Sequence, residues 1–296
     1  MSGDFADMTA ALIAIDWGTT NRRVFVLDDA GQVLATQRDG LGLLAVPSGD
    51  FAGAVAALRA RHGDLPVLLA GMVGSAKGWV DVPYCACPAG IADLARSLHW
   101  IEPGRTAIVP GLADPAGDVM RGEEVQVLGA AAGGLVPPDA LVCQPGTHCK
   151  WARVNGGRLV SFATAMTGEL FALLRSHSLL ADFLGGNVSD GDAFRAGVRD
   201  GLSGRLTTLL FRVRAAALLG RRPIEHSAAY TSGLLIGHDV GGEALDQGQP
   251  VYLLADPQLG ALYAAAIALA GGEPVLIDSH AAFVAGINPI WKAGRP

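Results

Sequence analysis

Residues 12–27, LIAIDWGTTNRRVFVL, constrain the fold of this chain more than any other stretch. Two apolar runs, 12–15 and 23–27, flank a tight turn that carries Asp16, Gly18, Thr19 and Thr20, a pattern that predicts a β-hairpin. Backbone amides freed in such a turn, with two hydroxyl donors, suit an anion, and a carboxylate at the strand end can hold a cation beside it. A single Asp-x-Gly-Thr turn is commonplace, but here the pattern is repeated. Residues 141–154, LVCQPGTHCKWARV, again read strand, Gly-Thr, strand, with Gly146 and Thr147 standing 128 residues after Gly18 and Thr19. The first copy continues through DDAGQ into a third run, VLATQ, and the second through NGGR into LVSFATA. Both halves thus open with one three-strand meander. This implies two similar domains whose turns grip a nucleotide from both sides of a cleft.

The duplicated hairpin resembles the α/β fold shared by sugar kinases, actin and the Hsp70 chaperones. More narrowly, IAIDWGTTNRR, GMVGSAKGWVDVPY with Cys87-Pro88-Ala89, VMRGEEVQVLGA, QPGTHCKW, MTGELFALLRSHSLL and SGLLIGHDV together resemble the 2-dehydro-3-deoxygalactonokinase family. The resemblance implies two ribonuclease H-like domains with a nucleotide cleft between them. It also implies ATP and Mg2+ as cofactors and phosphorylation of the terminal (C6) hydroxyl of 2-dehydro-3-deoxy-D-galactonate. Two alternatives stand beside it: a kinase for another sugar or sugar acid, and a non-kinase nucleotide switch of the actin or chaperone kind.

Composition agrees with this. At 296 residues the chain is long enough for two domains, and with half its residues hydrophobic and 17% charged it is expected to fill its interior. The net charge of −6 provides no basic surface for nucleic acid, and the longest apolar run, 259–270, is too short to span a bilayer. Residues 1–10, MSGDFADMTA, lack the basic start and apolar core of a signal peptide, so a cytoplasmic setting is expected. Cys85, Cys87, Cys143 and Cys149 fit neither a zinc ribbon nor a disulfide framework and read as reduced, mostly buried thiols. The expected partners are a sugar acid and ATP, with homodimerisation left open. The GGLVPPD segment at 133–139 marks a break, dividing the chain into an N-terminal domain at 1–134, with the first hairpin and a substrate loop, and a C-terminal domain at 135–296, with the second hairpin and nucleotide-binding helices.

Along the first half, a helix at 50–62 closed by Gly63 precedes a buried strand at 66–70. Ligands in α/β folds gather just past strand ends, which places the substrate pocket at Gly71, Met72 and Ser75, with Lys77, Trp79 and Tyr84 in the long loop that follows. Trp79 and Tyr84 suit a core edge as well as a substrate contact. A helix at 121–132 carries Glu123 and Glu124 in its first turn, where acids are ordinary partners of the helix dipole. In many sugar kinases the catalytic carboxylate lies about seven residues before the glycine that Gly129 matches here. By that resemblance Glu123 is the first candidate base, Asp118 the second and Glu124 the third. Asp16 is the expected metal holder, since Gln144 takes its place in the second hairpin. His148 and Lys150 are candidate donors to nucleotide phosphate, Lys150 also suiting a solvated strand face. For the substrate's carboxylate, Arg23 is the first candidate cation and Lys77 the second.

In the second half the expected helices cover 167–175 and 203–219, the latter with Arg205, Arg212 and Arg214 outward, and 185–191 reads as a polar break. The small residues of 230–237 allow close approach to another helix or to the nucleotide. The turn 255–260, ADPQLG, has Asp256 and Pro257 where relatives of this fold usually have small residues under the adenine and ribose.

Overall fold

The computed structural model describes residues 9–296, so residues 1–8 of the segment read as lacking a signal lie outside the described residues. The chain forms two compact units. The first comprises the described part of Met1–Asp139 with Arg153–Phe162 and Ser279–Pro296; the second comprises Ala140–Ala152 and Ala163–Asp278.

In the first unit the meander is β1 (Ala10–Trp17), β2 (Arg22–Asp28) and β3 (Val33–Asp39), followed by α1 (Phe51–His62) and β4 (Val67–Gly71). Then come β5 (Cys85–Ala86), α2 (Ile91–Arg96), β6 (His99–Glu102), β7 (Thr106–Ile108), β8 (Leu112–Ala113), β9 (Val119–Met120) and α3 (Glu123–Ala132). The main sheet has the order β3-β2-β1-β4-β7-β6, with β1, β4 and β7 parallel to one another and the meander antiparallel. β4 is buried on both faces, as a strand between parallel neighbours must be. Asp50 caps α1 by accepting from the Gly53 N–H, and Phe51, Val55 and Leu58 pack against Ile15, Trp17 and Leu69.

The second unit repeats the plan with β10 (Ala140–Gln144), β11 (Cys149–Asn155) and β12 (Arg158–Ala165), then α4 (Thr167–His177), α5 (Asp192–Leu202), α6 (Leu206–Leu218) and α7 (Ser227–Gly241). It continues with β13 (Pro250–Leu254), α8 (Pro257–Leu269) and β14 (Glu273–Ile277), and the chain finishes with α9 (Ser279–Gly294). The sheet order β12-β11-β10-β13-β14 is that of β3-β2-β1-β4-β7. The repeat seen as three strands in the sequence is therefore five strands in the fold.

Two features depart from the sequence reading. α9 belongs to the first unit rather than to the second half: Gly286 packs on Gly129 of α3, and Trp291 lies 5.8 Å from Trp100. The expected helix at 203–219 begins at Leu206 after a left-handed Arg205, and it is preceded by a separate helix, α5, that the sequence does not announce. The small residues of α7 meet that helix: a Cβ on Gly197 would stand 2.1 Å from the Tyr230 carbonyl, and one on Gly233 equally close to that of Phe194. Among the described residues no helix is long and apolar enough to cross a membrane.

Candidate active site

In the first unit, three segments meet past the ends of β1 and β4. Asp16 is the last but one residue of β1 and pairs in register with Arg23 of β2, which reaches its carboxylate at 3.4 Å. The turn between them is closed by the Gly18 N–H donating to the Asn21 carbonyl at 3.0 Å. It is buttressed from the other side, where the carbonyls of Gly18 and Thr19 accept from the Leu43 and Leu44 amides. Thr19 and Thr20 remain exposed, so the turn stays open to a ligand.

Gly71 ends β4 at φ +97°, and a side chain there would strike the Trp17 carbonyl at 2.7 Å. Gly122 at φ +110° comes within 3.0 Å of the Gly71 Cα as measured from an added Cβ. Only glycine allows both the backbone angle and the approach. Their packing brings the start of α3 to the end of β1, close enough for the Glu123 charge to act on Asp16. Burial raises the Asp16 pKa to about 6; Arg23 opposes this, and Glu123 adds to it.

Both glutamates of α3 bend back over their own helix start. Glu123 accepts from the Arg121 N–H at 3.0 Å and stays partly accessible. Glu124 accepts from the Gly122 N–H at 2.6 Å and is 0% exposed, and burial pushes its carboxyl up to about 8. Asp118 lies apart, in the turn joining β8 to β9, where its carboxylate accepts from the Val119 N–H at 2.6 Å. Of the three candidate bases, the fold therefore brings Glu123 beside Asp16, buries Glu124 and leaves Asp118 in a hairpin turn.

In the substrate loop, Ser75 Oγ donates to the Met72 carbonyl at 2.7 Å, and Lys77 is exposed. Trp79 stacks on Phe51 at 6.3 Å, so one face of it belongs to the core edge. Tyr84 covers the guanidinium of Arg121, 4.3 Å from its ring centre. Sequence reasoning passed over Arg121, whose only signal was a basic residue beside two acids.

In the second unit, Gly146 and Thr147 sit under the start of α4. A Cβ on Gly168 would strike the Gly146 carbonyl at 2.4 Å, and the Glu169 N–H donates to the Thr147 carbonyl at 2.9 Å. The turn thus faces the positive end of a helix dipole. His148 Nε2 lies 2.5 Å from Glu169 Oε2. Lys150, a candidate phosphate donor that also suited a solvated strand face, is instead buried, with Nζ donating to Thr164 Oγ1 at 2.7 Å. Asp239, also missed in the sequence, accepts from Trp151, Thr167 and Tyr263 at 2.7–2.9 Å and so fixes the start of α4. The four cysteines are free thiols, three of them buried, with Cys143 and Cys149 flanking this turn at 3.6 Å.

Just past β13, a cavity of about 700 Å³ is lined by Phe171, Arg175, Ser232, Asp256 and Leu259. Asp256 caps α8 by accepting from the Leu259 N–H at 3.1 Å. This explains its place in a turn where a small residue was expected. A similar groove of about 690 Å³ in the first unit, lined by Phe25, Gly31 and His280, lies by the β2–β3 turn, at the opposite end of β2 from the Gly18 turn. Among the described residues no group of three or more His, Cys, Asp and Glu side chains forms a metal site.

Two units with one strand order, each built around a Gly-Thr turn, define a protein of the sugar kinase, Hsp70 and actin ATPase class. At the level of fold alone, the activator of 2-hydroxyisocaproyl-CoA dehydratase from Clostridium difficile superposes with a TM-score of 0.52 at 10% identity, over 97% of this chain and 96% of that one. The chain belongs to the 2-keto-3-deoxy-galactonokinase family, whose model matches residues 16–290, and it is accordingly a phosphotransferase. It is 36% identical to the 2-dehydro-3-deoxygalactonokinase of Escherichia coli K12, over 97% of this chain and 99% of the relative. A Sinorhizobium meliloti protein assigned to the same activity superposes with a TM-score of 0.89 at 32% identity, over 96% of this chain and 99% of that one.

Proposed function

We propose that this protein transfers the γ-phosphoryl group of ATP to the C6 hydroxyl of 2-dehydro-3-deoxy-D-galactonate, with Glu123 taking the hydroxyl proton. The observation that carries the assignment of the base is the meeting of Glu123 and Asp16 past the ends of β1 and β4, made possible by Gly71 and Gly122. Phosphoryl transfer to an alcohol needs an acceptor oxygen in line, a carboxylate within reach of its proton, and cationic stabilisation of the phosphate oxygens. Glu123 is fixed through Oε2 by the Arg121 amide, so it meets the acceptor without first being ordered.

Asp16 fits the role of Mg2+ holder, because a desolvated carboxylate beside a second one favours a divalent cation over a bare negative charge. When bound, Mg2+ supplies neutralising charge at the phosphate oxygens. Gly18, Thr19 and Thr20 in one turn and Gly146 and Thr147 in the other offer amides and hydroxyls to the phosphates, with His148 alongside. Lys150 acts from within the sheet, orienting β11. Gly71, Met72, Ser75, Trp79 and Tyr84 frame the sugar acid; Arg23 and Lys77 supply positive charge at its edge. The cavity past β13 suits the adenine and ribose.

On this reading the first unit serves the sugar acid and the second the nucleotide, with α9 bracing the first. The setting is the cytoplasm, and the partner is a second copy of the chain, docked where α6 and its sequel expose Phe211, Leu218, Leu219 and Ile224.

A coupled ADP-release assay with Mg-ATP tests the activity against 2-dehydro-3-deoxygalactonate, its gluconate epimer, glucose, N-acetylglucosamine and no sugar. Selective turnover of the first is expected, with Glu123→Gln lowering kcat by about 10²–10⁴-fold and Asp118→Asn leaving it within a few fold. Another preferred sugar would change the substrate, and equal rates without sugar would indicate a nucleotide switch. Near-normal turnover by Glu123→Gln would remove that residue from the role of base.

A further inference from the structure

Arg121 is placed in a way that stability alone does not explain. Arg121 is 7% exposed and, among the described residues, has no ion-pair partner; Nη2 donates to the Val82 carbonyl at 2.7 Å, while Nε and Nη1 find no acceptor there. A buried guanidinium with two open donors and no counter-ion is strongly unfavourable. Neither adjacent acid meets the guanidinium: the Glu123 carboxylate accepts from the Arg121 backbone N–H and that of Glu124 from the Gly122 N–H. Arg23, by contrast, already has a counter-ion in Asp16, and Lys77 stands in solvent.

The position is equally specific. Nη1 of Arg121 would lie 3.0 Å from a Cβ on Gly74, in the turn that follows Gly71 and Met72. The guanidinium is roofed by Tyr84, which is 43% exposed and rests against Gly111. A half-exposed ring over an unpaired cation is a cover that can be displaced, because a carboxylate binding the guanidinium fork in two places is a stronger partner than an aromatic face.

We propose that Arg121 receives the carboxylate of the sugar acid and that Tyr84 is the ring that gives way to admit it. This rests on the sugar-acid reading above and assigns the carboxylate to a residue outside the candidates named from the sequence. Arg23 then stays paired with Asp16 at the edge of the site without receiving the carboxylate.

The test is calorimetric binding of 2-dehydro-3-deoxygalactonate and of its neutral primary amide to wild type, Arg121→Gln and Arg121→Lys, with thermal melts of all three. Wild type should prefer the acid by about 30-fold, Arg121→Gln should lose about that factor for the acid while holding the amide within about threefold, and Arg121→Lys should fall between. The Tm of Arg121→Gln should equal or exceed that of wild type. Retained preference for the acid in Arg121→Gln overturns the proposal. So does a parallel loss of acid and amide with a lowered Tm, or failure of both variants to fold, since either marks Arg121 as a structural pin. If wild type turns over the acid and Arg121→Gln binds it normally, only this assignment fails. If wild type neither binds nor phosphorylates the acid, the sugar-acid reading fails and takes the assignment with it.

Discussion

Glu124 shows how one position along a helix changes the chemistry of a residue. Glu123 and Glu124 are chemically alike and adjacent, and in the sequence both read as dipole partners in a first helical turn. Burial separates them: Glu124 is fully buried, and its carboxyl is pushed to about 8. Because its folded pKa lies above its unfolded value, this group costs nothing below about pH 4.5. It erodes stability as the pH rises from there toward 8, while the unfolded chain ionises freely and the folded one does not. Glu124→Gln removes this dependence. In urea titrations the variant should match wild type near pH 4.5 and gain on it steadily, by on the order of 3 kcal/mol at pH 7. A constant difference across that range would show that Glu124 does not titrate as described.

At the scale of elements, glycine misled the sequence reading for a physical reason. DAFRAGVRDGL, which follows the polar break at 185–191 and carries two glycines four residues apart, gives no clear helical signal, yet it forms α5. Gly197 and Gly201 there, and Gly233 and Gly237 in α7, are the points where two helix backbones touch. The same device joins α3 to α9, where Gly129 meets Gly286. A Cβ on Gly286 would stand 2.1 Å from the Val125 carbonyl, so Gly286→Ala must push the helices apart. Thermal unfolding should register a loss of about 1–3 kcal/mol. Gly185→Ala, where an added Cβ meets nothing, serves as the neutral control. Equal stability of the two variants would mean that the α3–α9 contact is looser than described.

For the whole molecule, a kinase must exclude water from the phosphoryl group in transit, so both ligands together should draw the two units closed. Small-angle scattering should show a smaller radius of gyration with a non-hydrolysable ATP analogue plus sugar acid than with neither. Superimposable profiles would refute closure. The repeat of a meander around Gly18 and Gly146 was visible in the sequence because strand alternation and turn chemistry are local, and the same holds for α1 and β4. The remaining elements depended on partners distant in the chain. α9 contains Pro289, which blurs its helical signal, and it is held by α3 from more than a hundred residues away. Within the site, Asp16 and the two Gly-Thr turns could be read directly, whereas Arg121 and Asp239 could not. Unpaired burial and a three-donor network leave no trace in spacing. The sequence by itself determined the duplicated architecture, the two Gly-Thr turns and the family, because each rests on short-range pattern. Tertiary structure alone decided which acid stands beside Asp16, which cation lacks a counter-ion and which unit the last helix joins, because burial and charge pairing are set by groups brought together only when the chain folds.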